Sequence, residues 1–243
     1  FPATMQISPA TGLLYCVNFN LHGRMLPSTV SIVDPDAMVE VARTVTGSMP
    51  HGSRLSKDGL RHYSCAMMSG ELYEIDAVTF RVTRNMQLDT DLPKDHASEA
   101  KPTWVSPHPD GKRLYAALNG KASIVEVDVT TWSIGRRFAT GEGPYNLDIT
   151  PDGKALVATY KTAGAIGIWD LDKGAERARL KSSQRVTHGV VISPDGRYAF
   201  VSSEGKNNDP GALDVVDLTT NKLVASAAVG LQAGGVAFLN VQR

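Results

Sequence analysis

Two of the six histidines in this 243-residue chain, His51 and His188, stand at the same point of a repeated phrase. "MPHGSRLSKDG" (49–59) and "RVTHGVVISPDG" (185–196) each place His-Gly ahead of a short strand-like run that ends in Asp-Gly. Neutral imidazole suits copper, zinc, iron and nickel, so histidines gathered at one place would offer a transition-metal or redox site. His22 and His96, in the segments "NFNLHGRMLPS" and "DTDLPKDHASEAKP", are the other two candidates for it. Whether four imidazoles can meet depends on the elements that carry them.

Those elements follow from internal repetition. "SPATGLLYCVN", "SKDGLRHYSCA", "HPDGKRLYAAL", "TPDGKALVATY" and "SPDGRYAFVSS" are near-copies, and their glycines (Gly12, Gly59, Gly111, Gly153, Gly196) are spaced by 47, 52, 42 and 43 residues. After each comes a second run that ends in Asp: "VSIVD", "LYEID", "IVEVD", "IGIWD" and "LDVVD". The runs are short and rich in Val, Ile, Tyr and Phe, with turn residues between them and no sustained helical period. Each unit therefore reads as four antiparallel strands, a to d, which is the size of one propeller blade. The fold class is all-β, a β-propeller with five blades visible over a single domain, 1–243.

"GGVAFLNV" (234–241) reads as an orphan inner strand of one more blade. An inner strand left alone would present unpaired backbone groups. The expectation is that further blade sequence precedes Phe1 and that the native ring has six or seven blades. The Asp-Gly glycines supply the positive φ of tight hairpins. Asp34, Asp76, Asp128, Asp170 and Asp217 recur once per unit, so they read as turn-capping carboxylates rather than as a catalytic set.

In a blade the d–a and b–c connections share one face, around the mouth of the channel. His51 and His188 lie at d–a connections, where the matching residues are Ala3, Thr103, Tyr145 and Gly234. His96 belongs to a d–a connection and His22 to a b–c loop, so His22, His51, His96 and His188 are the metal-ligand candidates. Arg54, Trp104, Tyr145 and Asn146 are the ligand-binding candidates on that face. An inward Arg54 would present a planar fork to a carboxylate or a haem propionate. Asn18, Asn20, Arg24, Asn119, Lys161, Glu204 and Lys206 are further polar residues there, and Asp95, Glu99 and Glu204 are its carboxylates.

Composition narrows the partners. With 25 basic and 25 acidic side chains there is no field to draw nucleic acid or an anionic membrane. No apolar stretch reaches the roughly 18 residues of a membrane span. Cys16 and Cys65 are too few for a disulfide framework or a cysteine-rich zinc site and read as packed thiols. No nucleophile elbow, phosphate loop or His-Glu-x-x-His pair is present.

"TPDGKALVATYKTAGAIGIWDLDKG" and "SPDGRYAFVSSEGKNNDPGALDVVDLTTNKLVASAAVG" resemble YVTN-type repeats of surface-layer-like and periplasmic bacterial propellers. The resemblance covers the whole chain and implies a periplasmic or extracellular address. The function expected is that of a binding or scaffold propeller, holding a small-molecule ligand or partner protein on the loop-rich face. The alternatives are a copper, other transition-metal or haem redox protein, and a lactonase-like hydrolase, since related propellers hydrolyse sugar lactones.

Overall fold

Each phrase of the repeat becomes one four-stranded antiparallel sheet in the computed structural model, which describes residues 1–20, 25–89 and 97–239. Sheet one holds β1 (Pro2–Ile7), β2 (Leu14–Asn18), β3 (Pro27–Asp34) and β4 (Val39–Ser48), and sheet two β5 (Pro50–Leu55), β6 (Arg61–Ala66), β7 (Glu71–Asp76) and β8 (Val82–Gln87). Sheet three holds β9 (Pro102–Pro107), β10 (Arg113–Leu118), β11 (Ser123–Asp128) and β12 (Ser133–Ala139). Sheet four holds β13 (Pro144–Ile149), β14 (Ala155–Tyr160), β15 (Ala165–Asp170) and β16 (Ala175–Lys181). β17 (Val186–Ile192), β18 (Tyr198–Glu204), β19 (Gly211–Asp217) and β20 (Lys222–Val229) complete sheet five. Strands pair strictly in chain order, as a propeller blade requires. No helix among the described residues is long and apolar enough to cross a membrane.

The chain divides into two compact units, residues 1–121 with 125–135 and residues 122–124 with 136–243. In the first unit, Tyr15, Val17, Val30 and Ile32 of sheet one pack with Leu55 and Ile75 of sheet two. Leu72, Val105, Leu114, Val125 and Val127 form a second cluster between sheets two and three. In the second unit, Val157, Ile166 and Ile168 meet Val190, Val201 and Val216. Each fully buried aliphatic side chain contributes about 1.5–3 kcal/mol, so stacking of sheet on sheet supplies the stability that one sheet lacks. Cys16 and Cys65 are buried free thiols, and burial pushes the Cys65 thiol far up.

The repeated turn residues do structural work. Gly59, Gly111, Gly153 and Gly196 have φ between +71° and +74°, where a side chain would be strained. Asp76 Oδ1 accepts the N–H groups of Val78 and Thr79 at 3.0 and 2.8 Å, and Asp34, Asp128, Asp170 and Asp217 cap their own turns likewise. Those backbone donors hold the carboxyls of Asp76, Asp128, Asp170 and Asp217 below the usual range.

Each inner strand opens on a bulge. Pro50 pairs with Ala66 but Ser53 pairs with Ser64, leaving one extra residue across 51–52. The same slip lies between Pro2 and Met5, Pro144 and Leu147, and Thr187 and Val190. Sheet three has it where Trp104 pairs with Ala117 and Pro102 with Leu118. A bulge breaks the alternation that reveals a strand in sequence, and it re-aims the side chains it carries. His51 and His188 both sit in one. Of the run 234–241 expected as an inner strand, residues 234–239 form no strand, and 240 and 241 lie outside the described residues.

Candidate functional site

The shared position of His51 and His188 has one structural meaning in both places. His51 Nδ1 lies 3.0 Å from Thr103 O, and His188 Nδ1 lies 3.0 Å from Gly234 O. A carbonyl only accepts, so in each ring Nδ1 carries the proton and donates it to the matching residue of the next repeat. Each ring is also tied through its own carbonyl, which accepts from Thr4 Oγ1 at 2.7 Å in one case and Thr159 Oγ1 at 2.8 Å in the other. The glycine that follows is required by the same approach. A Cβ on Gly52 would run into Thr103 O and the Trp104 ring, and one on Gly189 into Gly234 O and Ser202 Oγ. Gly52→Ala is expected to cost roughly 3 kcal/mol, since backbone rather than a flexible side chain must move. A urea midpoint equal to that of the parent protein would refute this.

Around the two rings the surroundings diverge. His51 is buried and lies edge-on to Phe19 at 4.8 Å and to Trp104 at 5.9 Å between ring centres. Around His188 the repeat position held by Phe19 in sheet one is taken by Lys161 in sheet four, and by Glu204 in sheet five. Met67 occupies it in sheet two. One histidine position thus has an aromatic version and a charged version.

In the charged version, Lys161 Nζ stands 3.1 Å from Glu204 Oε1 and 4.5 Å over the Tyr145 ring. His188 Nε2 lies 3.4 Å from the same carboxylate oxygen, and its ring centre is 4.6 Å from that of Tyr145. Burial, with the Lys161 ammonium adding to it, lowers the His188 pKa to about 4, against the opposing pull of Glu204 and Gly234 O. The imidazole is therefore uncharged at neutral pH, and with Nδ1 protonated its lone pair is on Nε2. Burial and Glu204 together keep the Tyr145 hydroxyl protonated. The His188 side chain remains 19% exposed, so a small molecule can reach it. All four groups belong to the second unit, at the d–a and b–c ends of sheets four and five.

Of the ligand-binding candidates, Tyr145 joins this group. Arg54 stacks 4.8 Å over Trp104, and its Nη1 donates to Ser53 O at 2.9 Å. Trp104 is buried, with no partner for its Nε1–H among the described residues. Asn146 is also buried, its N–H donating to Thr159 Oγ1 at 3.0 Å and its Oδ1 lacking a partner among the described residues. His22 and His96 lie outside the described residues, and among those described no three His, Cys, Asp or Glu side chains gather closely enough to hold a metal. Sequence reasoning puts Lys161 and Glu204 on this face without giving them a role. The signal that would have found them is the one that finds the histidines, a shared repeat position with an unusual occupant.

Residues 66–208, more than half of the chain, match the family model of the lactonase, 7-bladed beta-propeller. The chain belongs to this lactonase-propeller family. The matched stretch contains Tyr145, Lys161, His188 and Glu204. Antigen Lp49 of Leptospira interrogans is 20% identical over 202 residues, with 61% of this chain and 43% of that protein covered. This chain therefore spans under half the length of that curated relative. Hydrazine synthase of Kuenenia stuttgartiensis is similar in fold, with a TM-score of 0.77 at 21% identity over 95% of this chain and 66% of that one.

Proposed function

We propose that this lactonase-propeller family member opens the ring of a small lactone, with His188 as general base. The observation that carries the reading is the uncharged imidazole whose Nε2 faces a lysine-anchored carboxylate at an accessible strand end. Nε2 takes a proton from a water as that water attacks the ring carbonyl. The Lys161 ammonium stabilises the oxyanion that forms. Glu204 holds Lys161 in place and steadies the transient imidazolium. That imidazolium returns its proton to the leaving alkoxide, the C–O bond of the ring breaks, and a hydroxy acid leaves. The Tyr145 ring lies under the Lys161 ammonium and walls one side of the site.

Proton release from γ- and δ-lactones in a pH-stat at pH 7 tests the proposal, with a rate well above the buffer rate expected. A panel that shows no enzyme-dependent release ends it.

A second reading, binding without chemistry, is favoured by the aromatic version of the site. Arg54 over Trp104, beside His51 and Phe19, suits a planar ligand or a partner's side chain. Saturable calorimetric binding without turnover is its expected signature. A metal reading of His22, His51, His96 and His188 draws support from the Nδ1–H···O=C bonds, the usual second bond of a ligating histidine. Metal content after purification without chelator checks it. The periplasmic or extracellular address and the YVTN-type repeat belong to these same readings and rest on the repeat phrases alone.

A further inference from the structure

At the opposite ends of the strands, the a–b turns of sheets one and four each pack on the following sheet through the second residue of the turn phrase. That residue is proline in "SPATG", "HPDG", "TPDG" and "SPDG", and lysine in "SKDG". Pro9 fills the joint between sheets one and two, and Pro151 that between sheets four and five. A Cβ built on Gly59 would lie 2.7 Å from Pro9 Cδ, and one on Gly196 would lie 3.3 Å from Pro151 Cδ. Gly111 follows Lys57, and nothing lies within 4 Å of its Cβ position. The joint between sheets two and three is open instead, as a cleft of about 450 Å³ whose lining lies wholly in the first unit.

The cleft has an apolar lining, and around it four cations face four carboxylates. Leu60, Leu114, Val129 and the prolines Pro107 and Pro109 supply the apolar lining. Arg61 is paired with Asp76 at 2.7 Å, Arg84 with Glu74 at 2.6 Å and Arg113 with Asp110 at 2.9 Å. The remaining acid of the lining, Asp58, takes Ser56 Oγ at 2.5 Å and Leu60 N at 3.0 Å. Lys57 has no ion-pair partner among the described residues. The Tyr63 hydroxyl, on a buried side chain in the cleft wall, takes part in no hydrogen bond among them. A volume in this range suits a small ligand, and apolar walls with a few convergent polar groups are what such sites are made of.

We propose that this cleft binds a small organic carboxylate with a flat apolar body, its charge met by Lys57 and one oxygen held by the Tyr63 hydroxyl. The site is separate from that of His188 and does not depend on the lactonase reading.

Calorimetric titration of the whole chain with benzoate, against neutral benzamide as the matched uncharged probe, tests the idea. Benzoate is expected to bind saturably, and benzamide at least tenfold more weakly. Lys57→Pro installs the residue that the other four turn phrases carry and should abolish benzoate binding while leaving the thermal midpoint unchanged or raised. The Lys57 N–H makes no hydrogen bond among the described residues, so proline removes none. Lys57→Gln keeps the space and loses the charge, and should bring benzoate down to the benzamide level. Tyr63→Phe is expected to weaken benzoate by about three- to tenfold. The proposal is overturned by absence of saturable binding, by equal binding of the two probes, or by undiminished benzoate binding to Lys57→Pro, which would put the anion elsewhere.

Discussion

His188→Ala is expected to lower kcat/KM for lactone hydrolysis by about two to four orders of magnitude, the usual contribution of a positioned general base. Its pH profile distinguishes this histidine from an ordinary one. The base works when neutral, and burial with Lys161 nearby sets its pKa at about 4. Activity should therefore hold as pH falls from 7 to 5 and be lost only as pH drops through about 4. Lys161→Gln removes a charge that disfavours the imidazolium, so the acid limb should move up. Glu204→Gln removes one that favours it, so the limb should move down. A limb near pH 6.5 that neither variant shifts, or an alanine variant with more than a tenth of parental activity, would sink the assignment.

The second large effect is acid destabilisation, and it centres on a residue outside the site. His62 is fully buried in β6, stacked on Tyr15 at 5.0 Å, with neither ring nitrogen hydrogen-bonded among the described residues. Burial alone lowers its pKa from 6.5 to about 3. The unfolded chain then binds a proton that the folded chain refuses, so stability is complete above pH 6.5 and falls as pH drops below it. The slope is about 1.4 kcal/mol per pH unit for each such histidine until its folded pKa is reached. Between pH 6.5 and 5, His62 and His188 together should remove roughly 4 kcal/mol. His62→Leu should halve that loss and also raise stability at neutral pH, because it removes an unsatisfied buried N–H that costs about 1–3 kcal/mol. Leucine fits the repeat, since Leu114 and Leu156 hold the matching positions. Urea unfolding at pH 7.5 and 5.0 checks this, and a parental pH dependence in the leucine variant would contradict it. The same variant widens the folded range in which the acid limb of His188 can be followed.

Sequence alone determined the architecture, because each local signal carries its own physical cause. Asp-Gly is needed for a positive-φ turn, the recurring Asp for a capped turn, and short β-branched runs for strands buried on both faces. Repetition made those signals legible five times over. It also marked His51 and His188 as equivalents, and the shared Nδ1–H···O=C bond is the reason that they are. What the sequence left open is how alike their surroundings are. Arg54 and Trp104 stand near strand starts in the sequence, and only the structure shows that they stack on each other. Lys161 and Glu204 are placed on the loop-rich face by sequence but given no role, because nothing in a single chain position says which side chain faces it from the next blade. The bulges at the strand starts hid where those side chains point, since one extra residue reverses the alternation from which direction is read. Burial of His62, the open joint beside Lys57 and the depressed pKa of His188 depend likewise on contacts between residues tens of positions apart. Only packing of one sheet on the next decides them.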